Sequence, residues 1–492
     1  MTEQSLKGRV VKGLFWKLLE QAGYQGIQFL VALLLARLLT KEEYGTVSLI
    51  MIFITIANTF VQSGFATALV QRRELLPEDY SSVFWLSLPL SLFCYLLLFL
   101  SAPWISSFYG LPVLAPLVRV MGLVLFPGAV ISIQTAFVSR NLQFDLLFRA
   151  TMTAVLGSGA VSIGMAYRGL GVWAMAAQQL LYYFILMTAL FRTLPWRPGL
   201  CFRRGRVLSL FSFGWKILVS GLLDTLWQNV YGLLIGKRYS SAELGVYTRG
   251  EQFPKLLTTN LTAAIQSVLL PAYAKLQGDA AALRSAARRS VRLSAFLVFP
   301  MMAGMFATAR PMVRLLLTDR WSAAVPYLCL MCVSYAILPI HSINLQLLNA
   351  MGHSELFLRL ELLKKLLGIL ILLLSLPYGI FPMLLLKVLD EYLCLLLNAF
   401  PNRRLLGYGP LRQLMDMLPA LLCSVLMGGI TGSLLLLSLP AAGTLLLQIP
   451  VGALSYLLLS LLFNREPLCY IYKLLHNTGE RVSGREAERW KN

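Results

Sequence analysis

Charge is scarce in this chain. Asp, Glu, Lys and Arg make up 13% of its 492 residues, about half the share of a soluble domain. So little charge excludes a large solvated surface and, with it, the three soluble domains that length alone would suggest. Histidine is scarcer still: His341, His353 and His476 lie too far apart to read as a metal cluster. The seven cysteines describe no disulfide framework, since Cys94, Cys329, Cys332, Cys394 and Cys423 fall in apolar runs, where thiols behave as small hydrophobes. Cys329-Leu-Met-Cys332 has redox or zinc spacing but lacks a second pair or a nearby His. GLLIGK at 232–237 looks like a phosphate-binding loop, yet its glycines are too close and Arg238 stands where Ser or Thr is required. No long outer loop is left to house a soluble active site. The expectation is a protein with no catalytic constellation, no metal and no cofactor.

What the chain has in abundance is apolar length. Hydrophobic residues make up 58% of it, with a mean hydropathy of +0.70. Runs near 20 residues, enough to cross a hydrocarbon core of about 30 Å, recur from end to end. They are continuously apolar rather than alternating, which excludes a β-barrel and leaves helices. The predicted spans are 13–39, 44–70, 81–101, 114–137, 148–167, 170–192, 210–236, 245–272, 288–309, 323–350, 357–377, 379–399, 415–437 and 441–463. The expected fold is an all-α polytopic membrane protein of about fourteen transmembrane helices. Met1–Lys12 is polar and basic, and the apolar run after it is too long for a signal h-region, so it is expected to remain as the first span.

The net charge of +21 is topological. Cations gather in every second connection: Lys7, Arg9 and Lys12; Arg72 and Arg73; Arg140; Arg197, Arg203, Arg204 and Arg206; Lys275, Arg284, Arg288 and Arg289; Arg403, Arg404 and Arg412. The other side receives few. By the positive-inside rule both termini are expected in the cytoplasm. Nucleic acid is excluded as a partner, because no soluble face presents the charge. Arg284, Arg288 and Arg292 recur at four-residue spacing, a basic stripe expected to lie on anionic lipid at the inner surface.

The chain repeats itself. Trp16-Lys17, Arg37, Glu43 and Gly45 recur as Trp215-Lys216, Lys237, Glu243 and Gly245 at nearly the same offsets. An even number of spans per copy makes the copies parallel, related by an axis along the membrane normal, with a substrate site between them. The expected organisation is a six-helix lobe over 1–190, a basic linker over 191–209, a second six-helix lobe over 210–400, two further spans over 401–463, and a basic tail over 464–492.

Charged residues inside spans are costly in lipid and face a bundle interior or a water-filled cavity. Arg37 ends the first span and can snorkel. Asp224 lies in the middle of the seventh, near Lys216. Arg249, Glu251 and Lys255 cluster on the eighth, around Pro254. Lys387 interrupts the twelfth beside Asp390 and Glu391. These seven, Arg37, Lys216, Asp224, Arg249, Glu251, Lys255 and Lys387, are the candidate cavity residues.

LLLARLLTKEEYGTVSLIMIFITIANTFVQSGFATALVQRRELLPEDYSSVFWLSL, SRNLQFDLLFRA, GLGVWAMAAQQL, FGWKILVSGLLDTLWQNV and AELGVYTRGEQFPKLL together resemble the lipid-linked oligosaccharide flippases. The subgroup is that of Wzx-like lipopolysaccharide and teichuronic acid exporters, in the superfamily that includes multidrug and toxin extruders. The resemblance covers about residues 1–400, and the last spans by layout only. It implies two six-helix lobes plus two helices around a cavity that alternates between the two sides. The implied substrate is an undecaprenyl-diphosphate-linked oligosaccharide repeat, moved from the inner to the outer leaflet of a bacterial cell membrane. The partners it implies are that lipid-linked oligosaccharide and membrane lipid, with H+ or Na+ as the candidate coupling ion. Arg249 and Lys255 fall in the matching YTRGEQFPK segment, and Lys216 and Asp224 in the matching seventh span. A multidrug extruder of the same architecture would favour acidic cavity groups over basic ones. A membrane-embedded polysaccharide polymerase or ligase would need a sizeable outer loop.

Overall fold

A computed structural model describes residues 3–62, 69, 76–437 and 439–470, and their side chains except those of 3–11, 77, 204, 206–214, 216, 217 and 354. No strand occurs among the described residues. The helices run α1 Glu3–Leu38, α2 Lys41–Gln62, α3 Pro77–Tyr109, α4 Leu114–Gly122, α5 Leu125–Asn141, α6 Phe144–Tyr167, α7 Val172–Thr193, α8 Arg204–Arg238 and α9 Ser241–Ala274. They continue as α10 Ala280–Ala307, α11 Ala309–Leu317, α12 Ala324–Tyr335, α13 Leu338–Ala350, α14 Ser354–Ser375, α15 Ile380–Leu406, α16 Pro410–Ser433 and α17 Ala441–Phe463. The pairs α4/α5 and α12/α13 each make one span.

Among the described residues, ten spans are long and apolar enough to cross a membrane, so the chain is a multi-pass membrane protein. Three further helices, α9, α14 and α15, have the length but not the apolar composition, and α8, 35 residues long, lies partly outside the residues whose side chains are described. The shortest, α14, has 22 residues, about 33 Å at 1.5 Å per residue. These four carry the charged residues that the sequence singles out inside spans 7, 8 and 12, together with Glu361, Lys364 and Lys365 of α14.

The chain divides into two compact units, Met1–Thr248 and Arg249–Asn492. In the first unit the repeat has a physical counterpart at the starts of α2 and α9. Thr40 and Glu43 form a capping box: the Thr40 amide donates to Glu43 Oε2 at 2.8 Å, and the Glu43 amide donates to Thr40 Oγ1 at 3.2 Å. The same spacing recurs at Ser240 and Glu243, where the Glu243 amide donates to Ser240 Oγ at 3.1 Å. Each arrangement satisfies amides that a helix start leaves without a partner. The two capped starts cross with their backbones touching. A Cβ at Gly45 would stand 1.5 Å from the Ser241 carbonyl oxygen, and one at Gly245 would stand 2.3 Å from that of Lys41. Only glycine permits this approach.

In the second unit, α10 packs along α16. Ala287, Val291, Ala295 and Phe299, four residues apart on α10, meet Ile340, Ile343 and Leu347 of α13 and Met417 and Ala420 of α16 in one buried cluster. The basic stripe forms the opening turns of α10, begun by Asp279, whose carboxylate accepts the Ala281 and Ala282 amides at 2.9 Å. Arg288 and Arg292 turn onto Asp416 of α16, with Nε to Oδ1 distances of 2.9 Å each, and Arg292 also pairs with Glu466. Tyr408 donates to Asp416 Oδ2 at 3.1 Å. Burial and the neighbouring carboxylate hold the Tyr408 phenol above its usual range, so it stays a donor. A buried carboxylate with three donors is satisfied; one without them would be strongly destabilising.

Candidate functional site

In the second unit, charges that interrupt apolar helices and pair between them sit on α9 and α15. Arg249, Glu251 and Lys255 interrupt the apolar residues of the first, and Lys387, Asp390 and Glu391 interrupt the second in mid-helix. Glu251 is the hub. Its Oε1 accepts the Tyr335 hydroxyl at 3.0 Å and lies 3.5 Å from Lys387 Nζ, while its Oε2 lies 3.9 Å from Lys255 Nζ. The Glu251 and Lys387 side chains are 15% and 13% exposed, that of Lys255 43%. One carboxylate therefore holds two ammonium groups, one inside the bundle and one reaching out of it.

Arg249, 3% exposed, lies half a turn before Glu251 on the same helix. Its Nη1 donates to Gln252 Oε1 at 2.5 Å, and its guanidinium carbon stands 5.7 Å from the centre of the Trp321 ring, a cation–π contact. Arg249, Lys255 and Lys387 thus stand on the same two helices as the carboxylates of Glu251, Asp390 and Glu391. Charges held at low dielectric interact more strongly than the same groups in water.

Of the seven residues singled out in the sequence, the structure thus brings together Glu251, Lys255 and Lys387, with Arg249 on the same helix. Arg37, in the last turn of α1, and Asp224, on α8, are exposed and belong to the first unit. The side chain of Lys216 lies outside the described residues, as do Arg72, Arg73 and the tail from 471 onward.

Sequence reasoning missed the neutral partners. Tyr335 caps Glu251 from α12. His341 of α13 lies 3.8 Å from Glu391 Oε2 through Nε2, and its Nδ1 stands 2.9 Å from Asn398 Nδ2. Asn402 and Gln413 donate to Asn344 Oδ1, each at 2.8 Å, and Asn344 donates back to Gln413 Oε1 at 2.9 Å. On α15, Lys387, Glu391, Asn398 and Asn402 are spaced by 4, 7 and 4 residues, one face of a helix. That periodicity is the signal by which the sequence could have found them. A separate cavity of about 1310 Å³ has walls of α10, α11, α12, α16 and α17, with Tyr392 its contribution from α15. It is largely apolar, with Arg310 and Arg314 among its lining residues; Arg314 is paired with Asp319 at 3.0 Å.

Comparison with known proteins gives consistent results. A family model described as polysaccharide biosynthesis protein matches residues 34–326. The succinoglycan biosynthesis transport protein ExoT of Rhizobium meliloti (strain 1021) is 26% identical over 346 residues, 70% of this chain and 69% of its own. The lipopolysaccharide biosynthesis protein WzxC of Escherichia coli (strain K12) is 24% identical over 337 residues, 67% of each chain. The teichuronic acid biosynthesis protein TuaB of Bacillus subtilis (strain 168) is 25% identical over 360 residues, 72% of this chain and 73% of its own. Among solved structures, the lipid II flippase MurJ in an inward closed conformation superposes with a TM-score of 0.74 at 14% identity, covering 92% of this chain and 100% of that one. An inward-facing multidrug resistance MATE family transporter of the MOP superfamily gives 0.56 at 16% identity, covering 84% and 94%. Both share the fold.

Proposed function

The chain belongs to the polysaccharide biosynthesis protein family, and from that premise we propose that it moves polyprenyl-diphosphate-linked oligosaccharide units from the inner to the outer leaflet by alternating access. The observation that carries this reading is the Glu251 hub. Such a substrate has a dianionic or more highly charged diphosphate that must enter a low-dielectric interior, where it needs cations already in place. Glu251 keeps Lys255 and Lys387 paired while no diphosphate is bound, avoiding an uncompensated buried charge. The arriving diphosphate takes over the exposed Lys255 first, and Arg249 offers a second, fork-shaped donor. The apolar cavity of about 1310 Å³ suits the prenyl chain.

In this reading the chain is a carrier, not an enzyme. It sits in a bacterial cell membrane with both termini in the cytoplasm, as the distribution of cations supports. Residues 1–190 and 210–400 are parallel six-helix copies followed by two helices over 401–463; the recurrence of the Thr40/Glu43 box at Ser240/Glu243 supports that division. A coupling ion, H+ or Na+, supplies the energy, and the carboxylates of Glu251 and Glu391 are the groups it would meet.

The test is made in cells whose surface polysaccharide depends on this chain. Deletion is expected to leave lipid-linked repeat units in the inner leaflet. Arg249→Ala and Lys255→Ala, each reaching the membrane at normal levels, are expected to reproduce that accumulation, with partial rescue by Arg249→Lys, which keeps the charge but loses the fork. Normal export by both variants, alone and together, places the diphosphate elsewhere. Normal surface polysaccharide in the deletion strain rejects the function.

A further inference from the structure

A second pocket, of about 300 Å³, lies within the first unit between α2, α4/α5 and α7. Its polar wall consists of Thr55, Asn58, Thr59 and Gln62 on one face of α2, and Gln179 and Tyr183, one turn apart, on α7. None of its lining residues carries a charge. Tyr183 stands eleven residues into the 22-residue α7, about 16 Å along it, level with the middle of a hydrocarbon core about 30 Å thick.

Gly128, which is not a lining residue, packs closely against three that are. A Cβ at Gly128 of α5 would stand 2.8 Å from Asn58 Oδ1 and 2.9 Å from Gln62 Nε2, with the Tyr183 ring 3.6 Å away. Only part of the pocket's hydrogen-bonding capacity is used. Gln62 Nε2 donates to Asn58 Oδ1 at 3.2 Å, and Thr59 Oγ1 meets Thr225 Oγ1 at 3.2 Å. The Gln179 amide, the Tyr183 hydroxyl, the Asn58 amide nitrogen and the Gln62 carbonyl make no hydrogen bond to another described residue. Groups with unspent donors and acceptors at mid-membrane depth await a polar ligand, since leaving them unsatisfied is costly.

We propose that this pocket holds a sugar ring of the translocated headgroup; the inference rests on the transport reading above. Of the three parts of such a substrate, the diphosphate needs cations, and none lines this pocket. The prenyl chain needs an apolar wall without polar groups, and six polar residues line it. A sugar ring presents hydroxyls that both donate and accept, as amides do, around apolar C–H faces that pack on an aromatic ring and on Met51, Ile54, Met121 and Val124. The volume is at the lower end for a ligand site, fitting part of an oligosaccharide rather than the whole.

The test is a binding measurement on the purified full-length chain with two probes. One is sugar-free undecaprenyl diphosphate; the other is the undecaprenyl-diphosphate-linked repeat extracted from cells that depend on this protein. Asn58→Ala with Gln179→Ala is expected to weaken binding of the repeat about tenfold (about 1.4 kcal/mol) and to leave the sugar-free lipid within about twofold. Gly128→Ala deletes no hydrogen-bonding group but displaces the Asn58 and Gln62 side chains, both flexible at the ends it would meet, so it is expected to fold normally and to show the same selective loss. Unchanged binding of both probes, or an equal loss for both, overturns the sugar assignment while the transport reading stands. Wild-type protein that binds neither probe overturns the transport reading and the pocket assignment with it.

Discussion

Replacing Gly45 by alanine puts the helix crossing at the starts of α2 and α9 under a load that can be worked out in advance. The added methyl would stand 1.5 Å from the Ser241 carbonyl oxygen and 2.9 Å from the Gly245 amide nitrogen. Both are backbone atoms in a capped first turn and cannot rotate aside. Relief requires the two helices to separate by about 1.5–2 Å, which loses dispersion contact along the crossing. Overpacking of this kind costs about 1–3 kcal/mol and occasionally more, and a backbone obstacle puts it at the upper end. Gly26→Ala and Gly164→Ala, on α1 and α6, meet nothing within 4 Å and should be neutral or stabilising, since alanine is the better helix former by about 1 kcal/mol. The assay is thermal melting of the detergent-purified chain, followed by size-exclusion of the remaining folded fraction. Gly45→Ala should melt lowest, Gly245→Ala nearly as low, and the double variant should lose less than the sum, because one separation relieves both clashes. Gly45→Ala melting with or above the wild type would refute the reasoning.

Three further outcomes follow from the second unit and from topology. Glu251→Gln removes one of the carboxylates around Lys387, whose charge Asp390 and Glu391 also offset, and should lower stability by about 1.5–3 kcal/mol; adding Lys387→Met should recover part of it, as chemical denaturation would read. Tyr408→Phe removes one hydrogen bond to the Asp416 carboxylate and should cost about 1.5–3 kcal/mol, whereas Arg288→Ala, which leaves Arg292 in place, should cost less by the same assay. Arg204→Cys, in the 191–209 linker, should resist an impermeant thiol reagent added outside intact cells; efficient labelling would invert the topology.

The spans were legible because lipid demands an unbroken apolar run wherever a helix faces it. On α9 and α15 charged residues interrupt that run, and Glu251, Lys255 and Lys387 of these helices meet. What the sequence could not disclose is which partner each charge takes. Glu251 and Lys387 are 136 residues apart, and Tyr335, Asn398 and Gln413 are neutral residues whose roles depend on a helix packed against them. The basic stripe of α10 shows the same limit. Arginines at four-residue spacing look alike whether they face lipid headgroups or Asp416, and only the position of α16 decides. Gly45 and Gly245 were legible as a repeat but not as a contact, since matching offsets do not say that two helices touch.

The central claim is that this chain carries a diphosphate-linked glycan on the cations gathered around Glu251. It is tested most directly in proteoliposomes holding the purified chain and a fluorescent undecaprenyl-diphosphate-linked oligosaccharide in one leaflet, with arrival in the other read by a membrane-impermeant quencher. The account predicts transfer well above protein-free vesicles, lost in Arg249→Ala and in Lys255→Ala/Lys387→Ala variants that retain the wild-type fold. Transfer by wild-type protein no faster than in empty vesicles, under an imposed H+ or Na+ gradient as well as without one, would contradict it.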